Sequence, residues 1–240
     1  MTMSEEKENT QAPEVGAGEN GFENSKFYKF AKGKGVMNLP NKLTLSRVIM
    51  IPVFLLFFYL GFTAHYFVAL AVFLIASLTD LLDGKIARKY KLVTNLGKFL
   101  DPIADKVLVL SALVVFLTVP EIFVANLGGW ALIVAGCGVA VILAREIIVS
   151  GFRMVAAAAD IVIAADMVGK YKTVMQDIAV IVLLIGAGFA ELNPLVNSSA
   201  FTMCGKIINY VGLGCFAISV ILTVISGINY IVKNIEVLKA

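Results

Sequence analysis

The sequence predicts an all-α integral membrane protein with six transmembrane helices. Composition and the placement of charge carry that prediction. Of the 240 residues, 59% are hydrophobic and 15% charged, with a mean hydropathy of +0.89. A soluble domain has about 45–50% apolar and about 25% charged residues. The charges are also segregated. Residues 48–79 and 207–232 contain no Lys, Arg, Asp or Glu, Glu121 is alone between 107 and 144, and Glu191 is alone between 178 and 205. A bilayer core takes about 20 apolar residues per helix. These runs exclude a soluble enzyme, and no nucleic-acid partner is expected.

Residues 1–24 carry Glu5, Glu6, Glu8, Glu14, Glu19 and Glu23 with little to bury, which predicts a disordered acidic tail. The segment 25–42 mixes Lys26, Lys29, Lys32 and Lys34 with Phe27, Tyr28 and Phe30, suiting either an anionic membrane surface or a flexible linker. The membrane domain runs over 43–232, with spans expected at 43–61, 64–82, 100–120, 127–151, 174–190 and 207–232, before a short tail at 233–240. Pro120, Gly128 and Gly129 separate the third and fourth spans, and Asn193 and Pro194 precede the last. Gly212, Gly214 and Gly227 suit close helix packing there. Three cysteines, Cys137, Cys204 and Cys215, form no paired framework.

Six spans put both termini on one side. That side receives Lys42, Arg47, the group from Lys85 to Lys106, Arg145, Arg153, Lys170, Lys172, Lys233 and Lys239, whereas the opposite loops hold only Lys206. The asymmetry predicts a bacterial inner (cytoplasmic) membrane protein with its charged side in the cytoplasm.

The chemistry concentrates in Asp80-Leu81-Leu82-Asp83-Gly84-Lys85-Ile86-Ala87-Arg88 and, eight residues on, Gly97-Lys98-Phe99-Leu100-Asp101-Pro102-Ile103-Ala104-Asp105. Offsets of three and four place Asp80, Asp83 and Ala87 on one helical face and Asp101 and Asp105 on another. Two antiparallel helices joined by about a dozen residues then bring four carboxylates together at the cytoplasmic edge of the apolar zone. Carboxylates so placed repel one another and call for cations. Four Asp suffice for two divalent ions, Mg²⁺ or Mn²⁺, with faces open to phosphate. Gly84, Gly97 and Ala87 keep the wall low enough for a nucleotide or pyrophosphate, and Arg88 offers forked donors. The residues alone also admit helix caps with positive-inside anchors, or ligands of a transported divalent cation.

Asp80, Asp83, Gly84, Ala87, Arg88, Gly97, Asp101 and Asp105 match every fixed position of the CDP-alcohol phosphatidyltransferase motif, and the chain resembles that family over most of 38–232. Eight specified positions recur by chance on the order of 10⁻¹⁰ per starting point. The resemblance implies the family's six-span fold, a homodimer and a two-metal centre ligated by Asp80, Asp83, Asp101 and Asp105. It further implies Asp105 as general base, with Gly84, Ala87, Arg88 and Gly97 bounding the CMP part of CDP-diacylglycerol.

Two further segments, Arg145-Glu146 through Ser150-Gly151-Phe152-Arg153 and Gly169-Lys170-Tyr171-Lys172-Thr173-Val174-Met175-Gln176, are similar to the phosphatidylglycerophosphate synthase branch. That similarity favours sn-glycerol 3-phosphate as acceptor, its phosphate held by Arg145, Arg153 and Lys170. Charge alone suits inositol phosphate equally, and the lysines also serve as topology anchors. Asn38-Leu39-Pro40-Asn41-Lys42-Leu43-Thr44-Leu45-Ser46-Arg47 resembles the family's first-span segment, with Asn41 and Thr44 facing the donor nucleotide or capping the helix. His65, the only histidine, is expected near the outer end of the second span, exposed or facing headgroups.

Overall fold

The computed structural model describes the backbone of residues 39–89, 95–124, 128–158 and 167–234; side chains at 39–40, 80–89, 95–103, 105, 124, 155 and 157–158 fall outside that description. Among the described residues every regular element is helical. The helices are α1 Leu39–Tyr59, α2 His65–Lys89, α3 Asn95–Phe116, α4 Pro120–Val124, α5 Gly129–Ala158, α6 Met167–Val196 and α7 Ser199–Asn234.

Among the described residues six helices are long and one is a single short turn. Four of the long helices are long and apolar enough to cross a bilayer unaided: α1, α5, α6 and α7. In α2 and α3 the described apolar stretches are His65–Thr79 and Lys106–Phe116. Those two stretches end where the described side chains end, at Thr79 and Lys106. The chain is a multi-pass membrane protein.

Local chemistry sets the helix ends. Pro40 falls in the first turn of α1, where a missing N–H costs nothing. Gly61 and Ala64 take φ of 65° and 69° in the turn to α2. Ala64 is an unusual occupant of that region, and its N–H donates to Glu191 Oε1 at 2.6 Å. His65 Nε2 lies 4.0 Å from the other Glu191 oxygen, with its side chain only 12% exposed. His65 therefore faces a carboxylate rather than the headgroups expected from sequence.

Proline at the first position and Glu121 in the first turn make α4 a helix where sequence suggested a loop. Pro194 also lies inside α6 rather than beyond it. It sits in the last turn, where its fixed φ is helical and only the bond to Ala190 is forfeited. The helix closes three residues later at Asn197, whose φ is 46° and whose N–H donates to Asn193 O at 2.9 Å. At 36 residues, α7 is roughly 54 Å long and must tilt or overhang the apolar zone.

Helices α6 and α7 form the most extensive pairing. Glycine permits the approach: a Cβ on Gly212 would lie 2.9 Å from Leu183 Cγ, and one on Gly186 would lie 3.2 Å from Asn209 Cα. Gly214, expected to do the same, has open space beside it. The core includes Phe54, Phe58, Phe73, Phe116, Leu113, Ile142, Leu183 and Leu184, all fully buried. Ile133, Ile147, Met154 and Leu195 stay exposed, as residues meeting lipid should.

Candidate active site

Helix register continues the buried core into the acidic motif. On α2, Ala69, Phe73 and Ala76 are fully buried, and Asp80, Asp83 and Ala87 extend the same stripe. On α3, buried Ala104 and Leu108 share a stripe with Asp101 and Asp105, one turn beyond Gly97. Gly84 and Arg88 complete the last turns of α2. The side chains of all eight motif residues lie outside the described set. Among the described residues, no group of three or more His, Cys, Asp or Glu side chains is placed to hold a metal. Between Lys89 and Asn95 the helices leave a connection shorter than the dozen residues expected, because both helices extend through the polar motif.

Helix α1 brings a polar stripe beside these turns. Asn41, Thr44 and Arg47, spaced by three, are 2%, 0% and 1% exposed. Arg47 Nε donates to Ala76 O at 3.3 Å, one turn before Asp80. A polar stripe buried in a membrane helix is costly and marks function. Arg47 looked like a topology charge in the sequence; its spacing from Asn41 and Thr44 was the available signal.

A second cluster gathers around Glu146 on α5. One of its oxygens accepts from Arg145 Nη1 at 3.0 Å and from Lys172 Nζ; the other lies 3.5 Å from Lys106 Nζ. Lys106 also donates to Ser150 Oγ at 2.8 Å, and Arg145 Nη2 to Ser226 Oγ at 2.5 Å. Adjacent residues thus pair directly, although Arg145 and Glu146 leave the helix in different directions. Two glycines make room: a Cβ on Gly227 would lie 3.1 Å from Arg145 Cγ, and one on Gly169 3.8 Å from Arg145 Nη2.

Among the described residues, three cations surround the Glu146 carboxylate in a largely buried setting. Uncompensated buried charge is expensive, so such a site favours an additional anion. Lys106, Glu146, Lys172, Thr173 and Gln176 line a small cleft here. Gln176 Nε2 has no hydrogen-bond partner among the described residues and remains available to a ligand oxygen.

The predicted cationic residues part company. Arg145 belongs to the cluster. Arg153, two turns along α5, lies over the Tyr230 ring at 5.7 Å. Lys170 is exposed, and the ammonium that α6 delivers to Glu146 is that of Lys172. Lys106 and Lys172 were missed as site residues because in sequence they resemble topology anchors. The run Gly169, Lys172, Gln176, at steps of three and four, was the signal for one buried face.

Comparison with known proteins supplies the family. The family model for CDP-alcohol phosphatidyltransferase matches residues 37–228. A CDP-diacylglycerol–glycerol-3-phosphate 3-phosphatidyltransferase of Bacillus subtilis (strain 168) is 38% identical over 219 residues, covering 85% of this chain and 98% of that protein. The proteins of that name from Rickettsia bellii (strain RML369-C) and Haemophilus influenzae (strain ATCC 51907 / DSM 11121 / KW20 / Rd) are 35% and 41% identical. The former alignment covers 80% of this chain and 93% of its relative; the latter covers 59% and 72%. With its acidic motif on the facing ends of α2 and α3, the chain belongs to the CDP-alcohol phosphatidyltransferase family.

Proposed function

We propose that the chain transfers the phosphatidyl group of CDP-diacylglycerol to sn-glycerol 3-phosphate, forming phosphatidylglycerol phosphate and CMP. The observation that carries the acceptor assignment is the grouping of Lys106, Arg145 and Lys172 around Glu146. Its α3 member, Lys106, follows Asp105 directly in the chain. An acceptor bearing its own phosphate offers these cations a second anion; free glycerol, serine or inositol does not.

Arg145, Lys106 and Lys172 bind that phosphate, while Arg153 and Lys170 flank its approach. The acceptor's primary hydroxyl then points toward Asp105, which removes its proton. The freed oxygen bonds to the phosphorus carrying diacylglycerol, and the bond from that phosphorus to the bridging oxygen breaks. CMP leaves with the bonding pair. Asn41, Thr44, Gly84, Ala87, Arg88 and Gly97 hold the donor nucleotide, and Arg47 positions the α1–α2 seam beside it.

The four carboxylates at Asp80, Asp83, Asp101 and Asp105 are a hard-oxygen donor set suited to two divalent cations, Mg²⁺ or Mn²⁺. When bound, such ions offset charge on the phosphoryl oxygens. Six spans, a homodimer and an active site on the cytoplasmic side of a bacterial inner membrane complete the reading, supported by the one-sided placement of Lys and Arg.

The test incubates purified protein with CDP-diacylglycerol, a divalent cation and a panel of acceptors, measuring CMP and lipid product. The expected result is phosphatidylglycerol phosphate from glycerol 3-phosphate, abolished by a chelator. Turnover only with inositol, inositol phosphate, serine or phosphatidylglycerol assigns a sibling acceptor instead. Divalent-cation flux in sealed vesicles without CMP release assigns a transporter.

A further inference from the structure

At the end of the bundle opposite the acidic motif, a cavity of about 390 Å³ opens between α4, α6 and α7. That size falls within the range of small-molecule sites. Its walls collect two isolated charges. Glu121 is the only Asp, Glu, Lys or Arg between 107 and 144, and Lys206 is the only one between 192 and 232. Both line this cavity, both are exposed, and they make no ion pair with each other.

The cavity floor adds a buried acceptor. Asn209 is 8% exposed, and its Nδ2 donates to Ile122 O at 3.1 Å. That bond fixes the amide and leaves Asn209 Oδ1, buried, without a partner among the described residues. A carbonyl oxygen held in this way favours a ligand N–H or O–H, because its desolvation is otherwise uncompensated. Phe189 and Ala190 supply an apolar wall. Separated charges of opposite sign, a donor-seeking oxygen and an apolar flank match a zwitterion attached to a hydrocarbon.

We propose that this cavity binds a phosphoethanolamine group, as carried by a zwitterionic phospholipid. The ammonium meets Glu121 and Asn209 Oδ1, the phosphate meets Lys206, and the glycerol lies against Phe189. A quaternary ammonium has no N–H for Asn209, so a choline head group fits less well. The assignment is independent of the transferase reading, since neither charge belongs to the acidic motif or the Glu146 cluster.

The test titrates the detergent-purified full chain with dihexanoyl phosphatidylethanolamine, dihexanoyl phosphatidylcholine and soluble O-phosphoethanolamine, read by calorimetry. Phosphatidylethanolamine is expected to bind about tenfold tighter than phosphatidylcholine. Lys206→Ala and Glu121→Gln are each expected to weaken it about tenfold without moving the thermal unfolding midpoint. Asn209→Leu should erase the discrimination between the two lipids. Binding of the lipid but not of soluble O-phosphoethanolamine assigns the site to the membrane, and comparable binding of both assigns it to the phosphoamine alone. Equal affinity for the two lipids in the parent protein, or unchanged affinity in both charge variants, overturns the proposal.

Discussion

Lys106 Nζ lies 3.5 Å from Glu146 Oε2, so the residue following Asp105 in the chain is fastened to α5. The same ammonium holds Ser150 Oγ at 2.8 Å. One lysine thereby ties the middle of α3 to the polar face of α5, and the proposed base to the proposed phosphate site. A shift of α5 relative to α3 would disturb both.

Glu146 neutralises part of a three-cation cluster with a side chain only 7% exposed. Glu146→Gln leaves Lys106, Arg145 and Lys172 without that charge. Removing one partner of a buried ion pair costs about 3–5 kcal/mol, and the cleft beside this cluster lowers the expectation to about 2–4 kcal/mol. Thermal unfolding of the purified protein checks it. An unfolding midpoint equal to the parent's would mean that the cations are neutralised elsewhere.

Gly227 leaves the space that the Arg145 stem occupies, with a hypothetical Cβ only 3.1 Å from Arg145 Cγ. Gly227→Val should push the guanidinium off Ser226 and Glu146. The expected outcome is a rise of about tenfold in KM for glycerol 3-phosphate, with KM for CDP-diacylglycerol unchanged. Parallel changes in both constants would indicate general misfolding.

Two glycines of α7 should behave oppositely. At Gly212 a Cβ would lie 2.9 Å from Leu183 Cδ2 and 3.2 Å from Leu183 N, so Gly212→Ala forces α6 and α7 apart and costs about 1–3 kcal/mol. Gly214 has nothing within 4 Å of that position. Gly214→Ala should be neutral or stabilising by up to about 1 kcal/mol, through helix propensity. Paired unfolding curves distinguish them, and equal effects would contradict the packing described.

Asp105 shares its stripe on α3 with buried Ala104 and Leu108. Asp105→Asn keeps the shape and removes the proposed base. Turnover should fall by about 10²–10⁴-fold, with the unfolding midpoint near that of the parent. Normal turnover would remove Asp105 from its assigned role.

The helical class was legible because membrane spans announce themselves through long stretches without charge. Helix ends were less legible: α2, α3, α6 and α7 all run beyond their apolar runs, since hydrogen bonding continues after hydropathy stops. Pro194 shows the limit of treating proline as a terminator, because the last turn of α6 tolerates it. Arg145 was legible from its motif. Lys172 and Lys170 were not separable by residue type, and only helix phase buries the former and exposes the latter. Arg47 could be read from its spacing to Asn41 and Thr44, whereas Lys106 required knowing which helices are neighbours, which a single sequence does not encode in any local pattern.

The most direct test of the account is the KM for glycerol 3-phosphate of Lys172→Ala beside that of Lys170→Ala, at saturating CDP-diacylglycerol. A buried ammonium bound to the acceptor's phosphate predicts a rise of about tenfold or more for Lys172→Ala. The exposed Lys170 predicts less than about threefold. An unchanged KM in Lys172→Ala, in protein that unfolds normally, would contradict the assignment of the Glu146 cluster as the acceptor's phosphate site.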